Sequence, residues 1–115
     1  MSESGPVITV CLSENFNDSR VLREALRGLE EESVPWEIVR EMPDEGVSLA
    51  FSGAGRSQLE VGIGIDSRGL LAVHYRKLPP EKPYFELNYI SSFEKIKTVC
   101  GNAARMVKNT PFKEV

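Results

Sequence analysis

Glu30, Glu31 and Glu32 stand in a row at the end of a helical pattern, and they are the residues whose chemistry asks first for a reason. Their position is unfavourable on its own terms, because a helix C-terminus is the negative end of the macrodipole. Three adjacent carboxylates also repel one another. They read in one of two ways. One is a solvated helix end. The other is a carboxylate kept for an outside partner, either a cation or a basic patch on another chain.

The remaining chemistry-bearing groups have less to offer. Gly62-x-Gly64 resembles part of a phosphate-binding turn, but a dinucleotide fingerprint lies between a strand and a helix and has a third glycine. Here the pair lies inside a strand pattern that runs into a hairpin, so close approach of another backbone or of a packed helix explains it better. Gly53-x-Gly55 is not followed by the Lys-Ser/Thr pair of a phosphate loop. His74 is the single histidine, has no triad partner nearby in sequence, and reads as structural. Cys11 and Cys100 are the two cysteines, and neither belongs to a CxxC pair. Both read as reduced, buried and inert, since a reactive thiol needs an electropositive, exposed setting. Too few Cys and His are present at close spacing for a structural zinc site. Asp66 reads as a turn residue. No residue is assigned a catalytic or cofactor-binding role.

Around these groups the chain alternates strand and helix patterns. Val7 to Leu12 is rich in β-branched residues and predicts a buried strand. Asn17 or Asp18 is placed to cap a helix, and Val21, Leu22, Ala25, Leu26 and Leu29 give it one apolar face up to about Ser33. Val34-Pro35 stops that helix and Trp36 to Glu41 predicts a second strand. The strand-helix-strand order with short connections predicts parallel pairing. Within Asp44 to Gln58 a short helix is expected, weakened by Gly53 and Gly55. Leu59 to Ile65 and Leu70 to Tyr75 flank Asp66-Ser67-Arg68-Gly69, which predicts a β-hairpin. Pro79, Pro80 and Pro83 mark an exposed loop. Ser91 with Glu94 forms a capping-box pattern, opening a helix through Phe93, Ile96, Cys100, Ala103 and Val107 that ends near Asn109, before Pro111. The expectation is one α/β domain over residues 1–115, ordered β-α-β-α-β-β-α, with a mixed central sheet of about four strands and helices packed on it.

Composition narrows the function. With 41% hydrophobic and 27% charged residues in 115, the chain can bury a core and does not resemble a disordered segment. A formal net charge of -3 with scattered basic residues gives no footprint for nucleic acid. No apolar run approaches the roughly 20 residues of a membrane helix. The short polar start, Met1 to Gly5, does not read as a secretory signal, so a cytoplasmic setting is expected.

Three segments together resemble the small subunit of the diol and glycerol dehydratase-reactivating factors. They are Gly28 to Pro35 (GLEEESVP), Leu59 to Ile65 (LEVGIGI) with its hairpin through Leu78-Pro79, and Gly101 to Lys108 (GNAARMVK). They occur in the family's order and with similar separations.

The resemblance implies a protein that acts on partners and is not itself an enzyme. Adenosylcobalamin-dependent diol and glycerol dehydratases inactivate when damaged cobalamin stays bound, and the reactivating factor releases it. In that family a large subunit with an Hsp70-like ATPase domain pairs with the small subunit, as a heterotetramer of two large and two small chains. The small subunit then exchanges with the medium subunit of the dehydratase, whose fold it shares. The resemblance also implies that Glu31 reaches a metal site of the large subunit, and that Mg and ADP or ATP belong to that partner; the chain has no cofactor of its own. Ser33 departs from the glycine common at that position in the family, which bears on how Glu31 is posed. A homo-oligomer of the lone subunit and an association with a bacterial microcompartment are further expectations. The alternative is a medium (β) subunit-like component of a cobalamin-dependent dehydratase, although those chains carry an N-terminal extension.

Overall fold

The computed structural model describes residues 5–115, and the polar start expected to hold no secretory signal, residues 1–4, lies outside the described residues. Five strands form one sheet in the order β2-β1-β3-β4-β5. The strands are β1 (Ile8–Ser13), β2 (Trp36–Glu41), β3 (Val61–Ile65), β4 (Leu70–Tyr75) and β5 (Phe85–Asn88). The helices are α1 (Ser19–Glu31), α2 (Gly46–Arg56) and α3 (Ile96–Lys108). β1 pairs in parallel with both β2 and β3, as the strand-helix-strand reading required, while β3-β4 and β4-β5 are antiparallel. No helix among the described residues is long and apolar enough to cross a membrane.

The two faces of the sheet are packed by different means. On one face Ile8, Val10 and Leu12 of β1, Ile63 and Ile65 of β3, and Leu71 and Val73 of β4 meet α1 and α3 in the main core. Val21, Ala25 and Leu29 come from α1, and Ile96, Val99, Cys100 and Ala103 from α3. On the other face α2 lies directly on backbone. A Cβ at Gly62 would sit 2.2 Å from the Ala54 nitrogen, and one at Gly64 would sit 2.3 Å from the Ala50 nitrogen. The glycine pair therefore exists for helix-on-strand approach, and the backbone of α2 fills the space a phosphate would need. The same contact explains why α2 forms despite its own glycines. Tertiary packing outweighs intrinsic propensity.

Helix ends follow local chemistry. Asp18 caps α1, accepting from the Arg20 and Val21 amides at 3.0 and 3.2 Å. At the other end Ser33 adopts φ 60°, its amide bonds the Glu30 carbonyl at 3.0 Å, and the Val34 amide bonds the Leu29 carbonyl at 3.3 Å. That is a Schellman ending, and it forms with serine where glycine is the usual residue. The departure at Ser33 thus leaves the helix end in the geometry a glycine would give.

The mixed sheet of about four strands is borne out with one short addition, and one expectation is corrected. The sheet carries a fifth short strand, β5, beyond the segments named from sequence. The capping box at Ser91 and Glu94 does not form. A 3-10 turn, Phe93–Lys95, precedes α3, and Ser92 ahead of it makes no side-chain cap bond. The Ser91 amide is held by the Asn88 side chain at 3.0 Å instead, which extends the end of β5 and leaves Ser91 outside the helix start.

Candidate partner-binding surface

The end of α1 lies against α3, and the two helices touch through backbone. A Cβ at Gly28 would meet the Lys97 carbonyl at 2.4 Å and the Gly101 nitrogen at 2.9 Å. That approach brings Glu31 and Glu32 alongside cationic side chains of α3 and leaves Glu30 on the outer side of α1, so the three have different fates.

Glu32 is the buried one, only 8% exposed. Arg105 Nε donates to its Oε2 at 2.9 Å and Lys108 Nζ to its Oε1 at 3.0 Å. Lys108 also donates to the Glu32 carbonyl at 2.9 Å, so a cation satisfies the helix terminus directly. The Lys108 hydrogen bond, then the Arg105 hydrogen bond and both positive charges, hold the Glu32 carboxyl below its ordinary value against the opposing effect of burial. Glu32 is therefore neither a solvated helix end nor an offered ligand. It is an internal tie between α1 and α3. Sequence reasoning missed it because its partners lie 73 and 76 positions away.

Glu31 points to the surface. Its side chain is 47% exposed and its Oε2 lies 3.1 Å from Lys97 Nζ. Glu30 is also exposed and borders a shallow groove of about 310 Å3 along the outer side of α1, where Leu22 and Leu26 lie between Arg23 and Arg27. The structure thus separates the cluster into one structural carboxylate and two outward ones. No group of three or more His, Cys, Asp or Glu side chains able to hold a metal occurs among the described residues. Glu31 alone offers one hard oxygen donor, enough for one ligand of a Mg2+ shared with another chain, since magnesium takes only one or two carboxylates from protein.

The other groups weighed from sequence have structural tasks. His74 is fully buried, with Nε2 3.1 Å from the Pro80 carbonyl and Nδ1 accepting from the Tyr75 amide at 3.0 Å. Phe51 of α2 meets its ring edge-on at 5.0 Å. It pins the proline loop to the sheet. Cys11 and Cys100 are free and buried. Burial pushes both thiols up to about 12, with the neighbouring Glu41 adding to the effect at Cys11. Burial thus disfavours the thiolate form that a nucleophile needs at both positions. Asp66 does more than turn the hairpin. Its carboxylate accepts from the Arg68 and Leu70 amides, and also from the Gly46 amide of α2, each at 2.9 Å. The Tyr89 hydroxyl donates to its carbonyl at 2.6 Å.

Asp66 matters for a second reason. In an α/β sheet, ligands commonly bind outside the carboxyl ends of adjacent parallel strands where the chain direction switches, here β1 and β3. The chain's own turn stands at that place, beside a pocket of about 250 Å3 lined by Asn15, Asp18, Ser67 and Tyr89. Asp44 holds the turn by accepting from the Ser67 hydroxyl and from its amide at 2.8 Å, and these bonds pull the Asp44 carboxyl down to about 2.

These features define an α/β unit with its own turn at the end of the sheet where ligands commonly bind, and with two outward carboxylates at the end of α1, Glu30 of which borders an apolar groove. The chain belongs to the dehydratase medium subunit family, whose pattern matches residues 5–113. It is 34% identical over 114 residues to the diol dehydratase-reactivating factor small subunit of Klebsiella michiganensis, covering 99% of this chain and 89% of that one. It is 37% identical over 109 residues to the propanediol dehydratase-reactivating factor small subunit of Citrobacter freundii, covering 95% and 91%. In a solved diol dehydratase-reactivating factor complexed with ADP and Mg2+, a chain 36% identical to this one superposes with a TM-score of 0.86 over 96% of this chain and 100% of its own length.

Proposed function

We propose that this chain is the small subunit of a reactivating factor for an adenosylcobalamin-dependent diol or glycerol dehydratase. It pairs with an Hsp70-like ATPase large subunit, two large and two small chains together. It then leaves that partner in exchange for the medium subunit of the dehydratase, which opens the cobalamin site so that damaged cofactor is released. It works in the bacterial cytoplasm, on the enzyme wherever that enzyme is packaged, and carries out no turnover of its own. The observation that carries the reading is near-full-length similarity to curated reactivating-factor small subunits at 34–37% identity. The chain's own turn at the β1–β3 switch point and the two buried thiols support a role in binding over one in catalysis.

In this reading Glu31 supplies one oxygen ligand to a magnesium ion held mainly by the large subunit, beside its nucleotide. An ion bound there would supply positive charge to the contact between the two chains, and Glu31 would be the residue of this chain that meets it. Glu31→Gln keeps size and removes charge. Losing one partner of a buried charged contact costs about 2–5 kcal/mol, so assembly should weaken by more than tenfold. The test is recovery of activity by a cobalamin-inactivated dehydratase, given large subunit, ATP, Mg2+ and fresh coenzyme. The unsubstituted chain should restore turnover, Glu31→Gln should not, and Glu30→Gln should behave nearly as the unsubstituted chain. Equal recovery with Glu31→Gln would remove Glu31 from the interface, and no recovery with the unsubstituted chain would reject the function.

A further inference from the structure

We infer that Lys97 is a placeholder cation for Glu31: in the free subunit its ammonium occupies the carboxylate that the shared metal takes on assembly, so that Lys97 competes with the partner. The inference rests on the reading of Glu31 above and adds to it a residue and a sign. It starts from a paired anomaly. Glu31 is the last residue of α1, where the helix dipole disfavours an anion. Lys97 lies in the first turn of α3, where the dipole disfavours a cation. Each charge stands at the wrong end of its own helix, and the two meet at 3.1 Å across the helix pair. Neither helix gains locally from these residues. Their placement makes sense only through the other side chain or through a third party.

The geometry suits a reversible contact. Glu32, one position on, is clamped by Arg105 and Lys108 and is 8% exposed, which fixes the rotation of the α1 terminus. Glu31 and Lys97 are instead 47% and 39% exposed at their side chains, open to solvent and to salt. Lysine is a strongly hydrated point charge on a flexible four-carbon stem, able to swing away without moving backbone. The backbone at Lys97 is fixed independently, since its carbonyl lies against Gly28. A magnesium ion and an ammonium on one carboxylate repel each other, so metal ligation and the Lys97 contact weaken one another. An exposed pair of this kind is weak enough to be displaced and strong enough to be felt.

The sign of the effect separates this role from an ordinary one. A residue that only supports the surface, or that meets an acidic group on the partner, weakens assembly when removed. A placeholder strengthens it. Lys97→Met keeps the apolar stem and removes the charge, and should tighten assembly two- to fivefold, equal to about 0.4–1 kcal/mol at about 1.4 kcal/mol per tenfold. The gain should shrink at high salt, which already screens the pair in the unsubstituted chain.

The experiment is calorimetric titration of the large subunit, with ADP and a series of magnesium chloride concentrations, into four forms: unsubstituted, Lys97→Met, Glu31→Gln and the double variant. Thermal melts of each confirm that the fold is intact. The expected pattern is tighter assembly and a lower magnesium requirement for Lys97→Met, weaker assembly for Glu31→Gln, and a double variant equal to Glu31→Gln because there is no carboxylate left to release. If Glu31→Gln weakens assembly but Lys97→Met is unchanged or weaker, the placeholder role is refuted while the Glu31 reading stands. If Glu31→Gln binds like the unsubstituted chain, the Glu31 reading falls and takes the placeholder role with it.

Discussion

A run of three glutamates contains two kinds of residue, and the difference is set by what α3 places opposite each. Glu32 is desolvated, so its energy depends on Arg105 and Lys108, whose side chains are 22% and 39% exposed. Hydrogen bonds to charged groups are worth about 1.5–3 kcal/mol, and partial exposure of the cations puts Glu32→Gln near the middle of that range, a loss of about 2 kcal/mol of unfolding free energy. A pH series checks the cause. The folded carboxyl is held below its ordinary value near 4.5, so the contribution is fully present above that value and is lost as pH falls through the lowered one. The gap between unsubstituted and Glu32→Gln proteins in urea unfolding should therefore be constant from about pH 7 to 5 and close on further acidification. A gap that widens in acid would contradict the assignment. At this scale the sequence showed where carboxylates stood but not which was buried. Glu30, Glu31 and Glu32 share composition and local pattern, and only the long-range meeting with Arg105 and Lys108 distinguishes them.

At the scale of elements, periodicity carried most of the fold. The β-branched run at Val7 to Leu12, the single apolar face through Val21, Ala25 and Leu29, and the hairpin across Asp66 to Gly69 are all where pattern placed them. The misses have physical reasons. β5 is four residues long, follows three prolines, and is made by pairing with β4, a non-local event that leaves little pattern behind. Ser91 and Glu94 have capping-box spacing, but Asn88 captures the Ser91 amide first. The clearest test of element packing is Gly62→Ala. Its Cβ would lie 2.2 Å from the Ala54 nitrogen and 2.4 Å from the Ala50 carbonyl oxygen, both backbone atoms of α2. Relief requires moving a helix, so the cost should be about 3 kcal/mol or more, read as a lower denaturant midpoint with unchanged slope. A loss below about 1 kcal/mol would mean that α2 does not rest on β3 in this way.

At the end of the sheet where α/β proteins commonly bind ligands, Asp66 ties the β3–β4 turn to α2 and Asp44 accepts from Ser67 of that turn. The thiols are buried, and His74 holds a loop. After α3 the chain folds back: Asn102 exchanges two hydrogen bonds with the backbone of Lys113 at 2.9 and 2.8 Å, and Phe112 packs against Tyr84 and Phe85. Nothing in the sequence pattern signalled that return, because it depends on one buried asparagine. The functional reading was legible in three motifs in register, and it puts the binding of partners at the centre. The most direct measurement is therefore competitive: the purified chain, labelled at a surface site, is titrated with a reactivating-factor large subunit in ADP and Mg2+, dehydratase medium subunit is then added as competitor, and the chain is separately titrated with dehydratase stripped of its medium subunit. The account predicts a saturable, equimolar complex with the large subunit that dehydratase medium subunit displaces. A chain that ignores the large subunit and instead completes an active, cobalamin-holding dehydratase would contradict it.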